Sequence, residues 1–207
     1  MSAKSWAIDI DRDDITQARL VSDPATPLVA GQVRVHIDSY AMTANNITYA
    51  VFGNPAGLFG NDQGYWDFFA EPGEPGRLPV WGFAIVTESA AEGVSVGDRF
   101  YGYYPMASDA VLTVGKAGPG GFTDITPRRT SLPVIYNQYQ RIDALGDPVL
   151  LGVGGGVFVG VAEQRFPVDF LLRNFGLIEN KVHDLLLENR RAEVFQRLLV
   201  LLEELEH

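Results

Sequence analysis

The sequence contains no cysteine and only three histidines, His36, His183 and His207. These absences exclude a disulfide scaffold, a thiolate nucleophile and the common structural zinc sites. Long apolar runs are missing too. The longest nearly apolar stretch, Val149 to Ala162, has 14 residues, five of them glycine, too short and too glycine-rich to span a bilayer as a helix. The N-terminus carries no apolar run of the signal-peptide kind, so the expectation is a cytoplasmic protein without a membrane anchor. Basic residues are outnumbered 16 to 26, for a formal charge of −10, and no segment gathers them into a patch. Nucleic acid is therefore not the expected partner.

What is present divides the 207 residues in two. Residues 5–148 read as a β domain of short apolar or alternating runs separated by Gly, Pro, Asn and Asp. Strands are expected at Trp6–Ile10 and Ile15–Val21, as a hairpin around Asp11–Asp14, and at Val80–Ser89, Asp98–Tyr104 and Ala110–Val114. In Gln32–Ile37 the alternation predicts Val33, Val35 and Ile37 in the core, with Arg34 and His36 in solvent. Residues 149–207 read as a glycine-rich strand or hairpin followed by a long helix. Apolar residues at helical spacing, from Ile178 to Leu205, form a stripe that predicts a homo-oligomer or docking on the β part. The end at 205–207 resembles the beginning of a histidine tag. The fold class expected is mainly β with a C-terminal helical segment, α+β overall.

Four motifs invite an enzymatic reading, and their context argues against each. Gly93-Val-Ser-Val-Gly97 has the nucleophile-elbow spacing around Ser95, but a strand follows where that elbow needs a helix. The glycines of 152–160 lack the spacing of a dinucleotide fingerprint. Asn46-Ile-Thr48 is a glycosylation sequon of no consequence without secretion. Asp9, Asp11, Asp13 and Asp14 lack the ligand spacing of a calcium loop and read as a solvated turn. The aromatic side chains say more. Trp66, Phe69, Trp81 and Tyr104, with Tyr65, Phe68, Tyr101, Tyr103, Tyr136 and Tyr139, lie in or beside expected loops, where rings with hydroxyl handles pack a core or line an apolar pocket.

Four blocks carry a resemblance: Pro27–Val35 (PLVAGQVRV), Thr43–Tyr49 (TANNITY), Pro79–Phe83 (PVWGF) and Gly93–Gly102 (GVSVGDRFYG). With them, residues 6–139 resemble the GroES-like N-terminal domain of the medium-chain dehydrogenase/reductase superfamily. Ala44–Gly53, Tyr65–Phe69 and Leu132–Tyr139 are similar to a branch carrying a domain-of-unknown-function label. The resemblance implies a twisted, partly barrel-like β domain packed against a Rossmann domain, with substrate and NADPH in the cleft between them. The missing zinc ligands point to the zinc-free, quinone-reductase-like group and no metal, although Ile47 stands where related reductases carry an acidic residue. Tyr49 matches the tyrosine of that group's cofactor-facing loop. The resemblance thus implies Tyr49 and Asn45 as catalytic, Asn46 and Tyr49 against the nicotinamide, and Trp66, Phe69, Trp81 and Tyr104 around a small-molecule substrate.

Residues 149–207 resemble neither a Rossmann domain nor the superfamily's C-terminal segment, since such a domain needs alternating strands and helices over far more residues. A truncated paralogue, a fusion, a shifted reading frame or a nucleotide domain supplied in trans all remain open. The expected activity is NADPH-dependent hydride transfer to an enone, quinone or carbonyl. The alternative is a non-catalytic binding or assembly module dimerising through the C-terminal helix, and a hydrolase through Ser95 is a distant third.

Overall fold

The computed structural model describes residues 5–41, 44–55, 59 and 62–142. The glycine-rich segment, the long helix with its dimerising stripe and the tag-like end, all within 149–207, lie outside the described residues. The described chain is mainly β. Its strands are β1 (Trp6–Ile10), β2 (Ala18–Ser22), β3 (Gln32–Ala41), β4 (Gly76–Arg77), β5 (Pro79–Ser89), β6 (Arg99–Pro105), β7 (Asp109–Thr113), β8 (Gly121–Thr123) and β9 (Gln138–Arg141), with helix α1 (Ala44–Val51) between β3 and β4. No described helix is long and apolar enough to cross a membrane.

Strands β2-β1-β4 form a small sheet, and β7-β3-β5-β6-β9-β8 form a larger one. The expected opening hairpin is present, with Asp11 Oδ1 accepting the amides of Asp13 and Asp14 at 2.8 and 3.0 Å. That is the arrangement of a side chain stabilising a turn. β1 also hydrogen-bonds the chain after β6, Ile8 N–H donating to the Met106 carbonyl at 3.0 Å. The larger sheet curls into a half-barrel until its two outer strands meet, at a bridge between Val114 and Asp124. Gly115 N–H to Thr123 O (2.9 Å) and Ile125 N–H to Thr113 O (2.8 Å) close that seam.

Alternation decides which side chains fill the interior. Val33, Val35, Val80, Ala84, Phe100 and Leu112 are buried in one cluster. His36 is exposed as its position in β3 predicts, but Arg34 is buried rather than solvated. Its cross-strand neighbour is Glu88, whose Oε1 accepts from Nε at 2.9 Å, and Nη2 donates to the Thr26 carbonyl of the segment folded over it. A charge whose donors are satisfied can be buried where alternation alone would expose it. Residues 44–49, expected as a loop, begin α1 instead. Asn46, Tyr49 and Ala50, at i, i+3 and i+4, are all buried, which is the periodicity of one helix face.

The 3-10 turn Tyr65–Phe68 presses Trp66 inward to complete burial. The indole lies in a slot between two glycines: a Cβ on Gly53 would stand 2.0 Å from a ring carbon, and one on Gly76 would stand 2.6 Å away. Gly53→Ala therefore overpacks the slot and should cost about 2 kcal/mol, read as a lower urea midpoint with an unchanged slope.

Candidate functional site

The register of β5 and β6 sets Trp81 opposite Tyr103 and Phe83 opposite Tyr101. By alternation these four rings share one face of the sheet, opposite to that of Val80, Ala84, Phe100 and Tyr104. Three short elements cover this aromatic face. Tyr49 comes from α1, Phe68 and Phe69 from the turn at 65–69, and Tyr136 from the 3-10 turn Val134–Asn137. Tyr103 is the hub, its ring centroid lying 4.8 Å from Tyr136, 5.0 Å from Trp81, 5.2 Å from Phe68 and 5.6 Å from Tyr49. Such spacings are those of attractive ring pairs. At the rim, Tyr65 and Tyr136 bring their hydroxyls to 3.4 Å. Phe59, from the glycine-rich loop, packs edge-on to Tyr65 at 5.1 Å.

Of the residues expected at a site, Tyr49, Phe69 and Trp81 come together in this aromatic cluster, each packed on Tyr103. Asn46 is buried beside it and donates through Nδ2 to the Pro79 carbonyl at 2.8 Å, tying α1 to the start of β5. Asn45 is in the first turn of α1, and its side chain falls outside what the structure describes. Trp66 and Tyr104 are elsewhere. Both are fully buried in the core, Trp66 in its glycine slot and Tyr104 inside the barrel, donating to the Phe100 carbonyl at 3.1 Å.

Behind the cleft lies a group that sequence reasoning missed. Arg129 is 1% exposed, and its guanidinium donates to Asp124 Oδ2 (2.6 Å), Asn137 Oδ1 (3.0 Å), the Tyr139 hydroxyl (3.0 Å) and the Tyr136 carbonyl (2.8 Å). Its flat face lies 4.7 Å from the Phe69 centroid and 5.6 Å from that of Phe68, within cation–π range. Asp124 also accepts the Thr113 and Thr126 amides at 3.1 and 2.8 Å. Arg129 thus fixes the turn that carries Tyr136 and backs the rings of the turn opposite. Removing one member of a buried pair strands the other charge. Arg129→Met should cost about 3–5 kcal/mol in urea unfolding.

Burial pushes the phenol of Tyr49 up, hydrogen-bonding contact with Trp81 pulls it back, and Tyr136 and Tyr103 add smaller effects, Tyr136 upward and Tyr103 downward. Burial also raises Tyr65, Tyr101 and Tyr103, the last well above its usual value, reinforced by the surrounding tyrosines and opposed by Arg129. Tyr40, Tyr104 and Tyr139 are raised by burial as well. Unfolded, these phenols ionise near 10.0; folded, only above it. The fold therefore keeps its stability below pH 10 and loses it as pH climbs further. Tyrosinate absorbance and far-ultraviolet circular dichroism, followed together in an alkaline titration, should change in one cooperative step above that pH.

The elbow-like serine is a turn residue. Ser95 N–H donates to Asp98 Oδ2 at 2.7 Å, and β6 follows directly. Among the described residues no three His, Cys, Asp or Glu side chains are grouped as a metal site. Residues 40–148 match the family described as Protein of unknown function (DUF2855). No curated protein matches the chain.

Proposed function

The chain belongs to the DUF2855 family, and from that premise we propose that residues 5–148 are a GroES-like substrate domain of the zinc-free, NADPH-dependent reductase type in the medium-chain dehydrogenase/reductase superfamily. Its substrate is a small enone, quinone or carbonyl compound. The observation that carries the reading is the convergence of Tyr49, Trp81, Phe69 and Tyr103 on the outer face of a curled β half-barrel. The rings stack a flat molecule and exclude water, and the phenol hydroxyls are donors suited to a carbonyl oxygen.

The described residues fit the substrate half of such an enzyme and do not fit the nucleotide's phosphates. Every described strand pairing is antiparallel, so no strand–helix–strand unit presents a glycine-rich turn at a helix N-terminus. Arg129, which backs the rings, is already paired with Asp124, and Arg99, over Phe83, with Asp38. A nucleotide would have to be held outside the described residues or by a second chain. The roles left to this domain are to bind the substrate, orient its carbonyl against Tyr49 and keep water out.

That misfit also favours a second reading, a non-catalytic binding module whose chains associate through the leucine-rich segment near the C-terminus. An NADPH titration of the full chain, read by energy transfer from tryptophan to the reduced nicotinamide, separates the two. Saturable micromolar binding, with Tyr49→Phe weakening an enone about tenfold for its lost hydrogen bond, is the result expected. Absence of binding at millimolar NADPH leaves the binding module. Light scattering then asks whether Leu198→Asp dissociates it.

A further inference from the structure

One buried polar atom in the cleft has no evident purpose in the fold. The Tyr103 hydroxyl is shielded from solvent and has no hydrogen-bond partner. Its approach to Tyr49 is close enough to shift that phenol, but it does not reach hydrogen-bonding geometry. An unpaired buried hydroxyl is destabilising, and phenylalanine would fill the same space without that cost. Other buried tyrosines avoid it: Tyr104 donates to the Phe100 carbonyl and Tyr139 to the Tyr103 carbonyl. The Trp66 indole N–H is also unpaired, but it is wedged against the backbone of Gly53 and Gly76, with no room for another molecule. The surroundings of Tyr103 differ. Trp81, Phe69 and Tyr136 are only half-buried, so the layer of rings over it reaches the surface. Beside Tyr136, Val134 and Ile135 are 60% and 50% exposed, an apolar approach to the same opening.

We infer that the Tyr103 hydroxyl is the donor for the acceptor oxygen of an uncharged, planar ligand that enters between Trp81, Phe69 and Tyr136. The inference rests on reading the cleft as the substrate site, and it adds to the Tyr49 hydroxyl a second donor, deeper among the rings. The charge requirement follows from the surroundings. The Arg129 cation is neutralised by Asp124, and four of its five N–H donors are engaged within the protein. An ionised ligand would therefore be desolvated with no counter-charge, at a cost far above that of a neutral one. A planar oxygen acceptor without charge gains the stacking of the rings and satisfies the orphaned donor together.

The test uses the full chain and three probes in isothermal titration: coumarin, which is flat, neutral and carries a carbonyl; naphthalene, which is flat and has no oxygen; and coumarin-3-carboxylate, which is ionised. Wild type should bind coumarin about tenfold tighter than naphthalene, equivalent to 1.4 kcal/mol, and bind the carboxylate more weakly than either. Tyr103→Phe should abolish the preference for coumarin, leave naphthalene unchanged and melt no lower than wild type. Equal binding of coumarin and naphthalene by wild type, a preference that survives in Tyr103→Phe, or no binding of any probe would each overturn the inference and leave the hydroxyl as one satisfied by a trapped water. The readout contains no nucleotide, so the two readings fail separately. Loss of NADPH binding with the coumarin preference intact removes only the reductase, while NADPH binding without the preference removes only the Tyr103 donor.

Discussion

The buried ion pair between Arg129 and Asp124 is the constraint on which the rest depends. Asp124 stands where the two outer strands of the curled sheet meet, opposite Val114, and takes the Thr113 amide onto its carboxylate. Arg129, through the Tyr136 carbonyl and the face of Phe69, reaches the elements that cover the aromatic cleft. One interaction therefore couples closure of the barrel to the shape of the cleft. Its donors and acceptors are almost all matched within the protein, the condition under which two charges can be taken out of water. A pair of this kind favours one arrangement over its competitors more than it adds stability.

Much of the β framework was legible in the sequence because its signal is local. β1, β5, β6 and β7 follow the runs of apolar and alternating residues to within a residue, while β3 runs four residues past its expected end at Ile37 and β2 starts three residues late, at Ala18; Gly93–Gly97 is the turn its glycines require. β8 and β9 left little trace, being three and four residues long and defined by partners far away in the chain. Helix α1 was hidden by a likeness to a loop, although 44–51 contains neither glycine nor proline and its apolar residues keep helical spacing.

The site was legible only in part, for reasons of geometry. Tyr103 and Tyr104 are neighbours in sequence, but the pleat sends one to the cleft and the other into the barrel. Proximity to loops could pick out aromatic residues, and it could not choose between those two faces. Tyr49, Phe69 and Trp81 came together, whereas Trp66 was drawn into the core by a slot that exists only once Gly53 and Gly76 are brought side by side. Arg129 gave no sign at all. An arginine in a polar stretch after Pro127 reads as solvated, and its four partners span residues 124 to 139 in an irregular segment that no periodicity describes.

The loop between α1 and the turn at Tyr65 begins and ends at a shared pair of backbone hydrogen bonds, Tyr65 to Phe52 and Trp66 to Gly53. Its two stems are so close that a methyl group on Gly64 would stand 2.1 Å from the Gly53 carbonyl oxygen. Stems clamped in this way make the segment an exchangeable cassette. The entropy of closing a loop grows only logarithmically with its length, so residues can be added or replaced between the stems at modest thermodynamic cost, with barrel and cleft floor unchanged. Because Phe59 reaches from this segment to Tyr65 and Phe68, variation confined to the cassette would alter what packs on those two rings while the sheet beneath keeps its register.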